Sequence, residues 1–148
     1  MRGGGGFEIW QYTSRKPTEM EGEVYLGDLG INAAKIKSVD AQKSYKEFNM
    51  KGLNVVTSLK NNPMGEPHFF IKDLHGNLFQ VIQGQSFFRK KERMLTGGVA
   101  GALIGSSDID RSLTLYRDIL GYDTVIYDEE GICDDFEGLN GADVSYRR

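Results

Sequence analysis

The pattern of hydrophobic and polar positions predicts two similar sets of strands and helices. Small and β-branched residues fill 31–38 and again 99–106, which predicts two buried strands. Each run stops at an aspartate, Asp40 or Asp108, whose side chain can cap a following helix. Apolar residues recur at helical spacing in 109–120, which predicts a buried stripe on this helix. The residues of the predicted stripe are Leu113, Tyr116, Ile119 and Leu120.

Further elements follow from the glycines and from strand-like runs. A first helix over 41–51 is expected to end at Gly52 and the second at Gly121, because glycine adopts the left-handed conformation that closes helices. Strands are predicted over 54–60, 68–72, 78–83, 122–128 and 141–148. The chain therefore contains a complete βαβββ unit over 30–84 and a second unit over 98–148 that lacks its fourth strand. The predicted fold class is α+β, with the units paired in a curved mixed sheet.

Two internal repeats support this division. GINAAKIKSVDAQKS (30–44) aligns with GVAGALIGSSDIDRS (98–112), and FEIWQ (7–11) aligns with FQVIQ (79–83). Residues 7–13 thus resemble a fourth strand without the elements that should precede it. Two interpretations stay open: the chain is an excerpt from a longer protein, or residues 7–13 complete the sheet of the second unit. Completion within the chain gives a monomer, whereas completion on a neighbour gives the strand-swapped homodimer that we expect.

Composition narrows the classes of function. A length of 148 residues suits one domain, 1–148, and 18 basic against 21 acidic residues give a net charge of −3. The longest basic block is 89–91, so nucleic acid is not an expected partner. No apolar run approaches the roughly 20 residues of a membrane span, and no leader pattern is seen. With a single cysteine, the expected location is the cytoplasm.

Two stretches carry a resemblance to a known superfamily. SSDIDRSLTLYRDILGY (106–122) and FFIKDLHGNLFQVIQ (69–83) resemble motifs of the vicinal oxygen chelate superfamily, which includes glyoxalase, bleomycin-resistance proteins and extradiol dioxygenases. The resemblance implies paired βαβββ units around a cup. It also implies a divalent metal, Fe, Mn, Ni or Zn, held by side chains from the first and fourth strands.

The metal ligands that the superfamily uses are mostly missing. The first-strand positions fall on Ala33 and Gly101, with Asn32 as a neighbouring amide, and the fourth-strand position of the complete unit is Gln80. Only Glu8, in the isolated strand, keeps the expected carboxylate. Glu8 and Gln80 are therefore the candidate metal ligands, and we expect a degenerate metal site.

A ligand surface is predicted from strand alternation. Glu8, Trp10 and Tyr12 would share one face, where a carboxylate beside two aromatic rings suits a planar or cationic compound. His68 and Phe70 share a face of another strand, where the histidine either transfers a proton near a ligand or packs as a hydrogen-bonded core residue. The candidate ligand-binding residues are Glu8, Trp10, Tyr12, Asn32, His68, Phe70 and Gln80.

Two functions follow from the resemblance. The first is a metal-free protein that binds a small molecule in the cup of the paired sheets, in the manner of bleomycin-resistance proteins. The alternative is a metal-dependent lyase, isomerase or dioxygenase whose site is completed by a partner chain or by residues outside this sequence. A third possibility is that the chain is a structural or regulatory half of a larger assembly. The missing ligands favour the binding protein and this third possibility over the enzyme, and whether the chain is an enzyme stays open.

Overall fold

The computed structural model describes residues 5–18, 21–87 and 94–148. Its main sheet contains β1 (Gly30–Ser38), β2 (Lys60–Asn61), β3 (Pro67–Lys72), β4 (Leu78–Gln83) and β5 (Thr96–Gly105). A second sheet contains β6 (Glu130–Ile132) and β7 (Ser145–Arg147). The helices are α1 (Ala41–Met50) and α2 (Ile109–Leu113), with a π-helical segment at Thr114–Ile119 and a 3-10 turn at Asp134–Phe136. The predicted α+β class is confirmed.

The main sheet is mixed, with strand order β2-β3-β4-β1-β5. β1 runs parallel to β4, while the pairs β2–β3, β3–β4 and β1–β5 are antiparallel. The elements β1, α1, β2, β3 and β4 follow one another in the order predicted for 30–84, whereas residues 98–148 contribute only β5 to this sheet. In the described ranges, no helix has the length and apolarity that crossing a bilayer demands.

Different parts of the chain pack against the two faces of the main sheet. On the helix face, the Phe69 ring contacts the α1 rings of Tyr45 and Phe48 edge-on, at centroid distances of 5.2 and 5.8 Å. On the opposite face, Phe70 is buried against Phe136, with the rings 5.5 Å apart. Neighbouring strand residues point to opposite sides of a sheet, so Phe69 and Phe70 anchor two separate apolar layers.

The first repeat predicted from sequence is confirmed where each first strand meets its helix. The hydroxyls of Ser38 and Ser44 lie 2.7 Å apart, and those of the aligned Ser106 and Ser112 lie 2.6 Å apart. The two corners therefore share the same side-chain hydrogen bond. They differ in environment, because the first pair is buried and the second is exposed.

The predicted helix caps are also confirmed. The side chains of Asp40 and Asp108 accept hydrogen bonds from the backbone N–H groups three residues later, at 2.8 and 2.9 Å. Gly52 and Gly121 have positive φ angles of 68° and 76°, the conformation expected of a closing glycine. The same start and stop signals thus operate in both units.

The strand predicted over 54–60 is wrong in extent. Only Val55 forms a bridge, to Ile71, and the ladder resumes at β2. Between them, the Thr57 side-chain hydroxyl accepts the backbone N–H of Phe70 at 2.9 Å. A side-chain oxygen thus replaces a ladder carbonyl, which divides the strand.

The second unit departs further from its prediction. Residues 122–128 form no strand, and the segment predicted over 141–148 pairs as β7 with β6 instead of extending the main sheet. The predicted stripe is not buried, since Ile119 is 71% exposed and Leu120 52% exposed. Residues 109–119 are helical as predicted, but Thr114–Ile119 is π-helical, and no layer of the described chain covers that side of the helix.

Residues 7–13 form no strand in the single chain. The Phe7 ring contacts Phe79 edge-on at 5.4 Å, and Gly5 lies against Val99. Both contacts are on the helix face of the sheet, since Phe79 precedes Gln80 and points to the other side. Completion of the second unit inside the chain is therefore not observed, and completion by a second chain stays a prediction.

Candidate functional site

Three of the predicted site residues meet on the opposite face of the main sheet. Phe70 of β3 is paired in register with Gln80 of β4, and His68 is two residues before Phe70 on the same face. His68 is 1% exposed and Gln80 4% exposed. The His68 and Phe70 rings contact edge-on at 5.8 Å. The strand positions thus build a buried polar pair inside an apolar layer.

Hydrogen bonds fix the orientation of His68. Its Nδ1 lies 3.0 Å from Nε2 of Gln80, and its Nε2 lies 3.0 Å from Oδ2 of Asp135. The Gln80 amide nitrogen can only donate, so His68 accepts at Nδ1 and donates from Nε2 to the carboxylate. Of the two interpretations of His68 open at the sequence level, the geometry shows a packed, hydrogen-bonded histidine.

Asp135 is held on its other side by Arg148. Two guanidinium nitrogens donate to the two carboxylate oxygens at 2.9 and 2.7 Å, and Arg148 also donates to Glu129 at 2.7 Å. The guanidinium lies over the Phe136 ring, 4.7 Å from its centroid. Burial alone would raise the pKa of Asp135, but hydrogen bonds from His68 and Arg148, with the charge of Arg148, lower it well below its usual range. Asp135 is therefore a carboxylate at neutral pH.

A donor and an acceptor in this cluster have no hydrogen-bond partner among the described residues. Oε1 of Gln80 is buried and accepts no hydrogen bond in the described part of the chain. Lys35 of β1 is the register partner of Gln80 in the parallel pair, so both side chains leave the sheet on the same face. Lys35 forms no hydrogen bond or ion pair with any described residue. Burial lowers the pKa of Lys35, and the positive charge of Arg148 lowers it further.

These residues do not fit a divalent metal. The first-strand positions Ala33 and Gly101 offer no side-chain donor, and no three histidine, cysteine, aspartate or glutamate side chains cluster within the described ranges. The structure also does not bring Glu8 to Gln80, since the preceding residue Phe7 packs on the helix face. Lys35, the register partner of Gln80 on the same face, would also repel a cation with its ammonium group. We therefore derive no chemistry through a metal.

The other predicted site residues lie apart from this cluster. Glu8 is exposed, Trp10 is 71% exposed and Tyr12 is 52% exposed, with the Arg15 guanidinium 4.8 Å from the Tyr12 ring centroid. Asn32 donates from Nδ2 to the Asp28 carbonyl at 2.9 Å. Asn32 also lines a cavity of about 140 Å³ beside Leu103, Phe136, Tyr146 and Arg148.

Sequence reasoning missed Asp135, Arg148 and Lys35. One signal was present for Lys35: in a strand of small and β-branched residues, alternation places a lysine on the face that carries Ala33. Asp135 and Arg148 gave no comparable signal, because Asp135 lies in the 3-10 turn after β6 and Arg148 follows β7, and neither segment carries a local pattern that places it against the main sheet.

Comparisons of the chain with protein-family models, with curated proteins and with solved structures give no match. The chemistry of this site is therefore argued from its own residues.

Proposed function

We propose that the chain is a glyoxalase/bleomycin-resistance-like protein that binds a small molecule on the opposite face of the main sheet, without a divalent metal of its own. Two facts about register partners on one face of the sheet support this proposal: among the described residues, Oε1 of Gln80 has no hydrogen-bond partner and Lys35 forms no hydrogen bond or ion pair. A buried acceptor without a partner costs roughly 1–3 kcal/mol. A ligand that donates a hydrogen bond to Oε1 of Gln80 recovers that free energy on binding.

The two free groups define the chemistry of the ligand. Lys35 offers positive charge and hydrogen-bond donors, which call for an anionic oxygen. Gln80 Oε1 can only accept, so the ligand must also carry an O–H or N–H group. A small 2-hydroxy carboxylate has both on neighbouring carbons. Lys35 is half-buried while Gln80 is buried, so such a ligand approaches from the Lys35 side.

His68 and Asp135 act as positioning residues in this proposal. Because Asp135 accepts from Nε2 of His68, Nδ1 of His68 is left as an acceptor for the Gln80 amide nitrogen. That hydrogen bond fixes the amide plane, which turns Oε1 away from the histidine. The network therefore presents one acceptor in a set direction, which lowers the ordering cost of binding.

A titration with three carboxylates tests the proposal. Glycolate and lactate carry the hydroxyl and acetate does not, so we expect acetate to bind at least about tenfold more weakly by isothermal titration calorimetry. Lys35→Met should abolish binding of all three. Lys37→Met is the matched control on the same strand, because Lys37 lies on the same face and its ammonium reaches the Ser86 carbonyl at 3.4 Å.

Unchanged affinity in Lys35→Met, or equal affinity for acetate and glycolate, would contradict this site. The metal-dependent alternative makes a separate prediction, which is stoichiometric binding of Zn²⁺ or Mn²⁺ in the same calorimeter. Such binding would favour the alternative function, a metal-dependent lyase, isomerase or dioxygenase whose metal ligands come from a partner chain or from residues outside this sequence.

A further inference from the structure

Lys35 is a lysine on an inner strand of the main sheet. It lies on β1, between β4 and β5, and its register partners on these strands are Gln80 and Gly101. Its side chain is half-buried on the face that carries Gln80, and it forms no hydrogen bond or ion pair with any described residue. Lysines that are withdrawn from water are usually paired. The unpaired amine of Lys35 therefore calls for an explanation other than surface charge.

The surroundings of Lys35 favour the neutral form of its amine, which is the nucleophilic form. Burial disfavours the ammonium and lowers the pKa of Lys35, and the positive charge of Arg148 lowers it further. The carboxylates of Asp135 and Glu129 would oppose this effect, but both already accept hydrogen bonds from Arg148. Loss of water and a neighbouring cation are two conditions that activate a lysine amine as a nucleophile.

The other titratable side chains on this face of the strands have partners elsewhere. His68 is hydrogen-bonded at both ring nitrogens, and the ammonium of Lys37 reaches the Ser86 carbonyl at 3.4 Å. Lys60, the register partner of His68, pairs with Glu137 at 2.6 Å. None of these groups pairs with Lys35, so none of them holds its amine as an ammonium.

Gly101 leaves space next to Lys35. A Cβ atom added to Gly101 would meet no atom within 4 Å, so β5 places no side chain beside its register partner Lys35. On the β4 side, Oε1 of Gln80 is buried and has no hydrogen-bond partner among the described residues. Neighbouring strands lie about 5 Å apart. A molecule of two or three carbons can therefore approach over Gly101 and contact both the amine and Oε1.

We propose that the amine of Lys35 forms an imine with a small 2-hydroxy aldehyde, the aldehyde counterpart of the 2-hydroxy carboxylate proposed above. The inference rests on the proposed function, because the hydroxyl of the ligand donates to Oε1 of Gln80 in both complexes. The Nζ lone pair bonds to the carbonyl carbon, and the carbonyl oxygen takes up the proton that the nitrogen releases. The nitrogen then gives up its second proton and expels the hydroxyl, so that water leaves and a C=N bond remains. This condensation needs no oxidant or reductant.

Reductive trapping tests the imine. The protein is treated at pH 7 with glycolaldehyde and cyanoborohydride, which reduces an imine to a stable secondary amine, and each modified lysine is located by peptide mass spectrometry. An ordinary lysine with a pKa of about 10.4 is neutral in only about one molecule in 2500 at pH 7. We therefore expect Lys35 to be labelled at least about tenfold faster than Lys37 on the same strand. Acetaldehyde lacks the hydroxyl, so its rate at Lys35, divided by its rate at the exposed Lys43, should be at least about tenfold lower than for glycolaldehyde.

Two variants and one titration complete the test. Lys35→Arg keeps a cation on β1 and should lose the fast label, whereas Lys37→Arg should leave labelling at Lys35 unchanged. Equal labelling of Lys35 and Lys37, or equal normalised rates for the two aldehydes, would overturn the proposal. Glycolate binding by calorimetry without fast labelling of Lys35 would overturn the imine alone. Fast labelling of Lys35 without glycolate binding would support the imine and contradict the carboxylate site.

Discussion

At the scale of single residues, Asp135 joins the buried polar cluster to the rest of the chain. It is 7% exposed and accepts from His68 on one strand and from Arg148 near β7. Removing one partner of a buried ion pair leaves the other charge uncompensated, which costs more than the pair contributes. The carboxylate therefore holds the segment after β6 against the sheet.

Asp135→Asn is expected to lower the free energy of unfolding by about 2–4 kcal/mol at pH 7, measured by urea denaturation. The pKa of Asp135 is lowered in the folded state, so its contribution is complete above the unfolded pKa near 4 and is lost as pH falls from there. The gap between wild type and variant should accordingly shrink below about pH 4.

The neighbouring Asp134 gives the control for this prediction. Its side chain is exposed, so Asp134→Asn should change the free energy of unfolding by less than about 0.5 kcal/mol. A pH-independent difference between Asp135→Asn and wild type would show that the ionised carboxylate is not the source of the stabilisation.

At the scale of elements, the same hydrogen bond between two serine hydroxyls occurs at both strand–helix corners, buried at the first and exposed at the second. Ser38 and Ser44 are both fully buried, while Ser106 and Ser112 stand at the exposed corner of the second unit. Water can replace a lost hydroxyl partner only at the second corner. The hydrogen bond at the buried corner should therefore contribute more to the free energy of unfolding than the same bond at the exposed corner.

Ser44→Ala is expected to lower the free energy of unfolding by about 1–2 kcal/mol, because it leaves the buried Ser38 hydroxyl without this partner. Ser112→Ala should cost less than about 0.5 kcal/mol in the same urea titration. Equal losses at the two sites would indicate that the second corner is covered in solution. The comparison is therefore best made at low protein concentration, where self-association is least populated.

Elements with local signals could be predicted from sequence, and elements that depend on distant neighbours could not. α1 lies between the predicted Asp40 cap and Gly52, and β4 has the predicted bounds, since capping and alternation act within a few residues. The break at Thr57 and the failure of 122–128 to form a strand depend on what lies beside those residues. His68 was likewise found from strand alternation, and Gln80 from the fourth-strand position that the sequence resemblance implies, whereas Asp135 and Arg148 were not found.

At the scale of the whole molecule, the two units differ in how much of their apolar surface is covered. The first unit is closed on both faces by α1 and by the segment after β6. In the second unit Ile119, Tyr122 and Val125 are each 71% exposed. Together with Ile9 and Trp10, this is more exposed apolar surface than single scattered residues present. Self-association through the second unit would cover part of it.

The single tryptophan reports on that association directly. Trp10 is 71% exposed in the single chain, so its fluorescence should be that of a solvated indole at nanomolar protein and should shift to shorter wavelength as the protein is concentrated. A Trp10 emission that stays that of a solvated indole at every concentration would contradict the homodimer expected from the sequence.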